Sequence, residues 1–205
     1  MSHVALSDRA STAKGGERVA IILKAAKDIL VTEGFQGLSY RNIAKAAGIA
    51  VGNLNYYYPS KDDLLVDLAN FIFDRWGERF EKRVPAKIKD DRAVFMFSID
   101  FMIRENKRDK TICLLMEMWA MANHSPSVAK MLDAFYGKMR AWIEEMIRRV
   151  SPEVEAKELA LRAALITAQI EGLMILIGPK RVAHPELAGV EAAALKQIEA
   201  LAFPA

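Results

Sequence analysis

The stretch that decides the fold reads Leu38-Ser39-Tyr40-Arg41-Asn42-Ile43-Ala44-Lys45-Ala46-Ala47-Gly48-Ile49 and, two residues on, Gly52-Asn53-Leu54-Asn55-Tyr56-Tyr57-Tyr58-Pro59-Ser60-Lys61-Asp62-Asp63-Leu64. Ser39 is suited to cap a helix, because its hydroxyl can accept from first-turn amides. Gly48 can take the left-handed turn that ends this helix near Ala47. After only Gly48, Ile49 and Ala50, a second helix is expected over about Val51 to Tyr57. Pro59 closes it, since proline disfavours helix at the residue before it. Two short helices across so tight a turn make a helix-turn-helix, whose second helix lies in the major groove of DNA. Ile43, Ala44, Ala47, Ile49 and Leu54 are spaced to bury both helices against a preceding one. Ala44 and Ala47 matter by being small, which lets the helices approach.

Working outward, apolar residues recur at three and four, and alternating strand patterns are lacking. A first helix is expected from about Glu17 to Glu33, with Ile22, Ala25, Ala26, Ile29 and Leu30 on one face and Gly34 as a left-handed stop. Ser60-Lys61-Asp62-Asp63 opens a long helix to about Val84, where Pro85 breaks it. Breaks at 87–90, 106–110, 124–126, 151–152 and 178–179 divide the remainder into five more helices, roughly Asp91 to Glu105, Lys110 to Asn123, Ser127 to Arg149, Pro152 to Ile177 and Pro185 to Leu201. The expected fold is all-α with about nine helices: an N-terminal three-helix helix-turn-helix domain and a C-terminal helical domain for ligand binding and dimerisation. Residues 1–16 read as a flexible arm, 17–60 as the DNA-binding domain, and 61–205 as the sensing and dimerisation domain.

The chain has 205 residues and a formal net charge of +3, but the charge is unevenly placed. Residues 1–61 hold eight Lys/Arg against four acids, and the remainder is close to neutral. A polyanion would therefore dock on the first third. No uninterrupted apolar run approaches the roughly 18 residues of a membrane span, and Met1 to Gly16 lacks an apolar signal segment. A cytoplasmic protein without a membrane partner is expected. The single cysteine, Cys113, reads as core filling. The three histidines, His3, His124 and His184, lie far apart, and no catalytic order, metal-ligand spacing or glycine-rich phosphate loop occurs. Neither an enzyme nor a cofactor or metal site is expected. A helical adaptor binding protein alone is the rival that DNA binding would exclude.

The segment 38–64 resembles the signature of the tetracycline repressor (TetR) family, whose pattern is an aliphatic and a hydroxyl residue, then Ile-Ala, Ala-Gly-Val, a small residue, Leu-Tyr-Tyr-aromatic-Phe and Lys-Glu-x-Leu, and it is met nearly throughout residues 17–68. The resemblance implies a ligand-responsive transcriptional regulator, commonly a repressor, that binds double-stranded operator DNA as a homodimer and responds to a small-molecule effector. It implies that Ser39, Tyr40 and Arg41 meet phosphates at a helix N-terminus. Gly52, Asn53 and Asn55 fall on the exposed side of the recognition helix, where amides suit base edges. Tyr57 and Lys61 match phosphate-holding positions. Asn55 departs from the family, which usually has tyrosine there. Tyr56 and Tyr58 read as core or hinge packing, and Lys24, Lys27 and Lys45 as solvated helix charges. Arg9, Lys14 and Arg18 read either as a minor-groove arm or as a tail without contact.

Further along, Phe71, Phe97, Phe101, Met116, Trp119, Met121 and Trp142 belong to a stretch dense in methionine and aromatic residues. Such residues form a core or line a ligand pocket, and both readings stand. Leu159, Leu161, Ala164, Leu165, Ala168, Ile170, Leu173, Met174 and Ile177 in the penultimate helix, with Leu187, Val190, Ala193, Ala194, Ile198 and Leu201 in the last, are apolar over much of the circumference, and the small Ala164, Ala168 and Gly172 permit close approach of a partner helix. Such helices call for a partner copy.

Overall fold

The computed structural model describes residues 13–83, 89–179 and 181–204. The expected arm as far as Thr12, with Arg9, lies outside the described residues, as does Pro85. The described residues contain nine α-helices and no strand: α1 (Ala13–Glu33), α2 (Tyr40–Ala47), α3 (Val51–Tyr57), α4 (Lys61–Glu81), α5 (Asp91–Asn106), α6 (Asp109–Ala122), α7 (Pro126–Val150), α8 (Ala156–Ile177) and α9 (Val190–Ala202), with 3-10 turns at Phe35–Gly37 and Pro185–Leu187. Lys14 and Arg18 fall inside α1.

The chain divides into two compact units. The first comprises the chain up to Trp76 together with Cys113–Leu132. Here Ile22, Ala26 and Leu30 of α1, Ile43 and Ala44 of α2, Leu54 of α3 and Leu64 and Leu68 of α4 are all buried. The small side chain of Ala44 lies where α2 packs on α1. Ala47 and Ile49, expected to be buried, are only half-buried. Gly34 is not the left-handed stop expected of it. Its φ of 70° is positive, but its ψ of −172° is extended, so the chain leaves α1 into the 3-10 turn rather than closing back on it.

The second unit comprises Gly77–Ile112 and Asp133–Ala205. Its core gathers Phe95, Ile99 and Ile103 of α5, Ile143 and Ile147 of α7, Leu159, Ile166 and Ile170 of α8 and Ile198 of α9. Asp90 caps α5 by accepting from the amides of Arg92 and Ala93. α8 is long and apolar enough to cross a membrane by length and composition, with a third of the relevant window buried. Its buried face carries Leu159, Ala163, Ile166, Ile170 and Leu173. Leu161, Leu165, Ile175 and Leu176 lie on the opposite side, each about half exposed.

Glu171 brings a carboxyl group into this apolar unit. It accepts from the Asn106 amide at 3.1 Å and from the Tyr136 hydroxyl at 3.1 Å. Burial outweighs both hydrogen bonds and lifts its pKa above the ordinary value of 4.5. The folded state therefore holds the proton more tightly than the unfolded chain does, and the stability contributed by the protonated group is present at low pH and lost as pH rises above 4.5 through the raised folded value. Glu171→Gln keeps an acceptor and cannot ionise. Urea midpoints measured across a pH series should fall in that window for the native protein and stay flat for the variant. Parallel profiles would contradict this assignment.

Candidate nucleic-acid interface

At seven residues, α3 is too short to be stable by itself, since isolated helices below about 12 residues are marginal in water. Its shape is borrowed from its neighbours. Leu54 is its one buried side chain, and α2 packs against it. Gly48, at φ 65° and ψ 37°, is left-handed and donates its amide to the Ala44 and Lys45 carbonyls. This closes α2 in the glycine-terminated manner and aims the chain into α3. Ser39 caps α2 as expected, its hydroxyl accepting from the Asn42 amide at 3.2 Å, while the Asn42 side chain donates to the Gly37 carbonyl at 3.0 Å.

A chain of hydrogen bonds ties α2, the end of α3 and α4 together. The Tyr40 hydroxyl, at the first residue of α2, donates to the Tyr58 carbonyl at 2.7 Å. The Tyr58 amide donates to the Leu54 carbonyl at 2.8 Å. The Tyr58 hydroxyl in turn donates to Asp67 of α4 at 3.0 Å. Burial drives the Tyr58 phenol far above its usual range, with the Asp67 charge adding to it, so Tyr58 remains a donor. Burial also raises Asp67, against the pull of the Tyr58 hydrogen bond. Tyr58 thus packs as the sequence indicated, and the proton of Tyr40 is committed to joining α2 to the end of α3.

What this frame leaves outward comes from a stretch of chain without acids. No Asp or Glu occurs from Gly34 to Lys61. Ser39, Arg41, Lys45, Gly52, Asn53, Asn55 and Lys61 are exposed, and Tyr40 and Tyr57 are half-buried. A Cβ added at Gly52 would meet nothing within 4 Å, so the backbone there is open to a close approach. Tyr56, read from the sequence as packing, is 62% exposed and meets Tyr57 edge-on at 5.4 Å. The helical angle could have revealed it: at 100° per residue, Tyr56 stands about 200° round from Leu54. The Lys61 ammonium lies 5.3 Å from the Phe35 ring centroid.

The expected pocket residues are divided between the two units. Phe101 and Trp142 both meet Phe80, at 5.7 and 5.8 Å. Phe97 belongs to the same unit, whereas Phe71, Met116, Trp119 and Met121 belong to the other. Met121 is fully buried, and Trp119 is 47% exposed. The Arg75 guanidinium covers the Phe71 ring at 4.7 Å.

A short helix held from behind, exposing amides, a glycine and tyrosines beside basic residues, defines a DNA-reading helix-turn-helix. Residues 22–68 match the family described as bacterial regulatory proteins, tetR family, and residues 94–201 match the BetI-type transcriptional repressor C-terminal family. The chain belongs to the TetR family of helix-turn-helix transcriptional regulators. It is 28% identical over 157 residues to an uncharacterised helix-turn-helix regulator from the dhlA 5′ region of Xanthobacter autotrophicus, spanning 75% of this chain and 76% of that one. Among solved structures, it resembles a transcriptional regulator of Pseudomonas aeruginosa PAO1 with a TM-score of 0.75 and 22% identity over 96% of this chain and 97% of the other. It also resembles AibR, solved with isovaleryl coenzyme A and operator DNA, with a TM-score of 0.63 and 18% identity over 91% and 98% of the two chains.

Proposed function

We propose that the chain is a cytoplasmic, effector-responsive repressor that binds a near-palindromic operator as a homodimer and has no catalytic role. The observation that carries the reading is α3 itself, a helix without acids on which Asn53 and Asn55 are exposed to meet base edges, with Tyr57, Arg41 and Lys61 offered for phosphates. Residues 17–60 would read DNA and 61–205 would sense and dimerise. The α8 stripe of Leu161, Leu165, Ile175 and Leu176 is exposed, with Ala164, Ala168 and Gly172 interspersed, which suits the close approach of a second copy. Pairing through it would place two recognition helices on half-sites about one helical turn, ~34 Å, apart. AibR, holding an acyl coenzyme A and its operator, supports a small-molecule effector for this fold. An effector that favours a different half-site spacing would release the DNA by shifting the population. α4 supplies residues to both units and is the element through which such a shift would pass.

Footprinting on the region upstream of the chain's own gene tests the reading. The expected result is a protected, two-fold symmetric site whose affinity falls steeply with salt, as counterion release requires. Asn53→Ala should keep binding but lose about 1–3 kcal/mol of base discrimination, whereas Tyr57→Ala should weaken all sequences alike. Absence of protection, or binding indifferent to salt, would favour the helical adaptor instead.

A further inference from the structure

Between Ile112 and Ala122 the only charged residue is Glu117, set among buried Leu114, Leu115, Met118 and Met121. Glu117 is itself half-buried, where a carboxylate gains from a hydrogen-bond donor. Its oxygen Oε2 accepts from the Phe35 amide at 2.6 Å, one of the donors that a helical turn leaves unpaired at its start. The fit is close on the other side too, since a Cβ at Gly34 would come within 3.1 Å of Oε1. One turn earlier on α6, the Cys113 thiol lies 3.5 Å from the Val31 carbonyl. The Phe35 ring held at this point carries the Lys61 ammonium at 5.3 Å, and the His124 imidazole stacks on the same ring, 1° from parallel at 6.0 Å.

We propose that Glu117 is a positioning residue for operator binding, which fixes Phe35 through its backbone amide so that the Phe35 ring holds the Lys61 ammonium for a DNA phosphate. The inference rests on the reading of Lys61 as a phosphate contact. A long flexible lysine loses less freedom on binding when its ammonium is already placed, and a cation over the half-buried Phe35 ring supplies that placement. Releasing Glu117 is therefore expected to act on DNA mainly through Lys61, since Asn53 lies on α3, whose one buried side chain is Leu54.

The test is anisotropy on an operator duplex over a salt series, with the full chain. Lys61→Ala should lower the slope of log Kd against log salt by about 0.9 for each phosphate that is no longer neutralised. Glu117→Ala should weaken binding about fivefold, lower the slope as Lys61→Ala does, and add nothing when combined with it. Glu117→Gln, which still offers an oxygen to the Phe35 amide, should restore most of the affinity. Phe35→Leu, which keeps that amide and removes the ring, should reproduce the lowered slope and decides the matter should Glu117→Ala not fold. An unchanged slope in Lys61→Ala would overturn the phosphate assignment and this inference with it. A lowered slope in Lys61→Ala, with a native slope or additive losses in Glu117→Ala and Phe35→Leu, would overturn the inference alone.

Discussion

Leu54→Ala is expected to remove operator binding by a factor of a hundred or more in a protein that still folds. Leu54 is fully buried and is the only buried side chain in α3. Truncating such a leucine costs about 2–5 kcal/mol, partly in lost transfer energy and partly in the cavity left behind. Most of α3 faces solvent, so little else holds it. The loss falls on the attachment of one short helix rather than on the whole molecule, and local opening can absorb it. Apparent affinity scales with the fraction of molecules in which α3 is docked, so the part of this cost that exceeds the small docking margin of so short a helix passes into binding at about tenfold for each 1.4 kcal/mol. Circular dichroism should show the helix content nearly kept while anisotropy on operator duplex shows the loss. A folded Leu54→Ala protein with native affinity would mean that α3 is held by something other than this side chain.

The second large effect lies in the other unit. Phe95 is fully buried, stacks with Trp142 at 6.2 Å and 9°, and meets Phe203 edge-on at 5.1 Å and 76°. Phe95→Ala is expected to cost about 3–5 kcal/mol, because both aromatic pairs go with the apolar area, each pair worth roughly 0.5–1.5 kcal/mol beyond burial. The Arg92 guanidinium lies over Phe203 at 5.4 Å and pairs with Glu199, so loosening Phe203 unsettles the link between α5 and α9 as well. Denaturant midpoints measure the cost. A loss below about 1 kcal/mol would show that the site collapses around the missing ring, the variation seen among core truncations.

The helices around the DNA-reading face were legible because their signals are local. The expected span of α3, Val51 to Tyr57, is the observed one, since Gly48 and Pro59 bracket it by backbone geometry alone. The N-cap role of Ser39 followed for the same reason. Gly34 was misread because its partner lies 82 residues away: the Glu117 carboxylate takes the Phe35 amide, and no local pattern announces that. The start of α8 shifted from Pro152 to Ala156, where the Val154 amide bonds back to Ser151 and spends a turn before the helix begins. The expected last helix from Pro185 is a short 3-10 turn, then Gly189 at φ 82°, then α9 from Val190. The face was harder to read than the frame. Tyr56 looked like one more packing aromatic within a run of three, and only its place opposite Leu54 exposes it. For Phe97, Phe101, Met116 and Trp142, the same side chains serve a core or a cavity, so composition alone does not separate the two.

The central claim is that the exposed side of α3 reads base edges while its surroundings hold the backbone. Selection of bound duplexes from a randomised pool, with the native chain and with Asn53→Ala, tests it most directly. The account predicts a two-fold symmetric sequence for the native protein and relaxed preference at the same position in each half-site for the variant, with the rest of the sequence retained. Recovery of the same sequence with the same stringency by both proteins would contradict it.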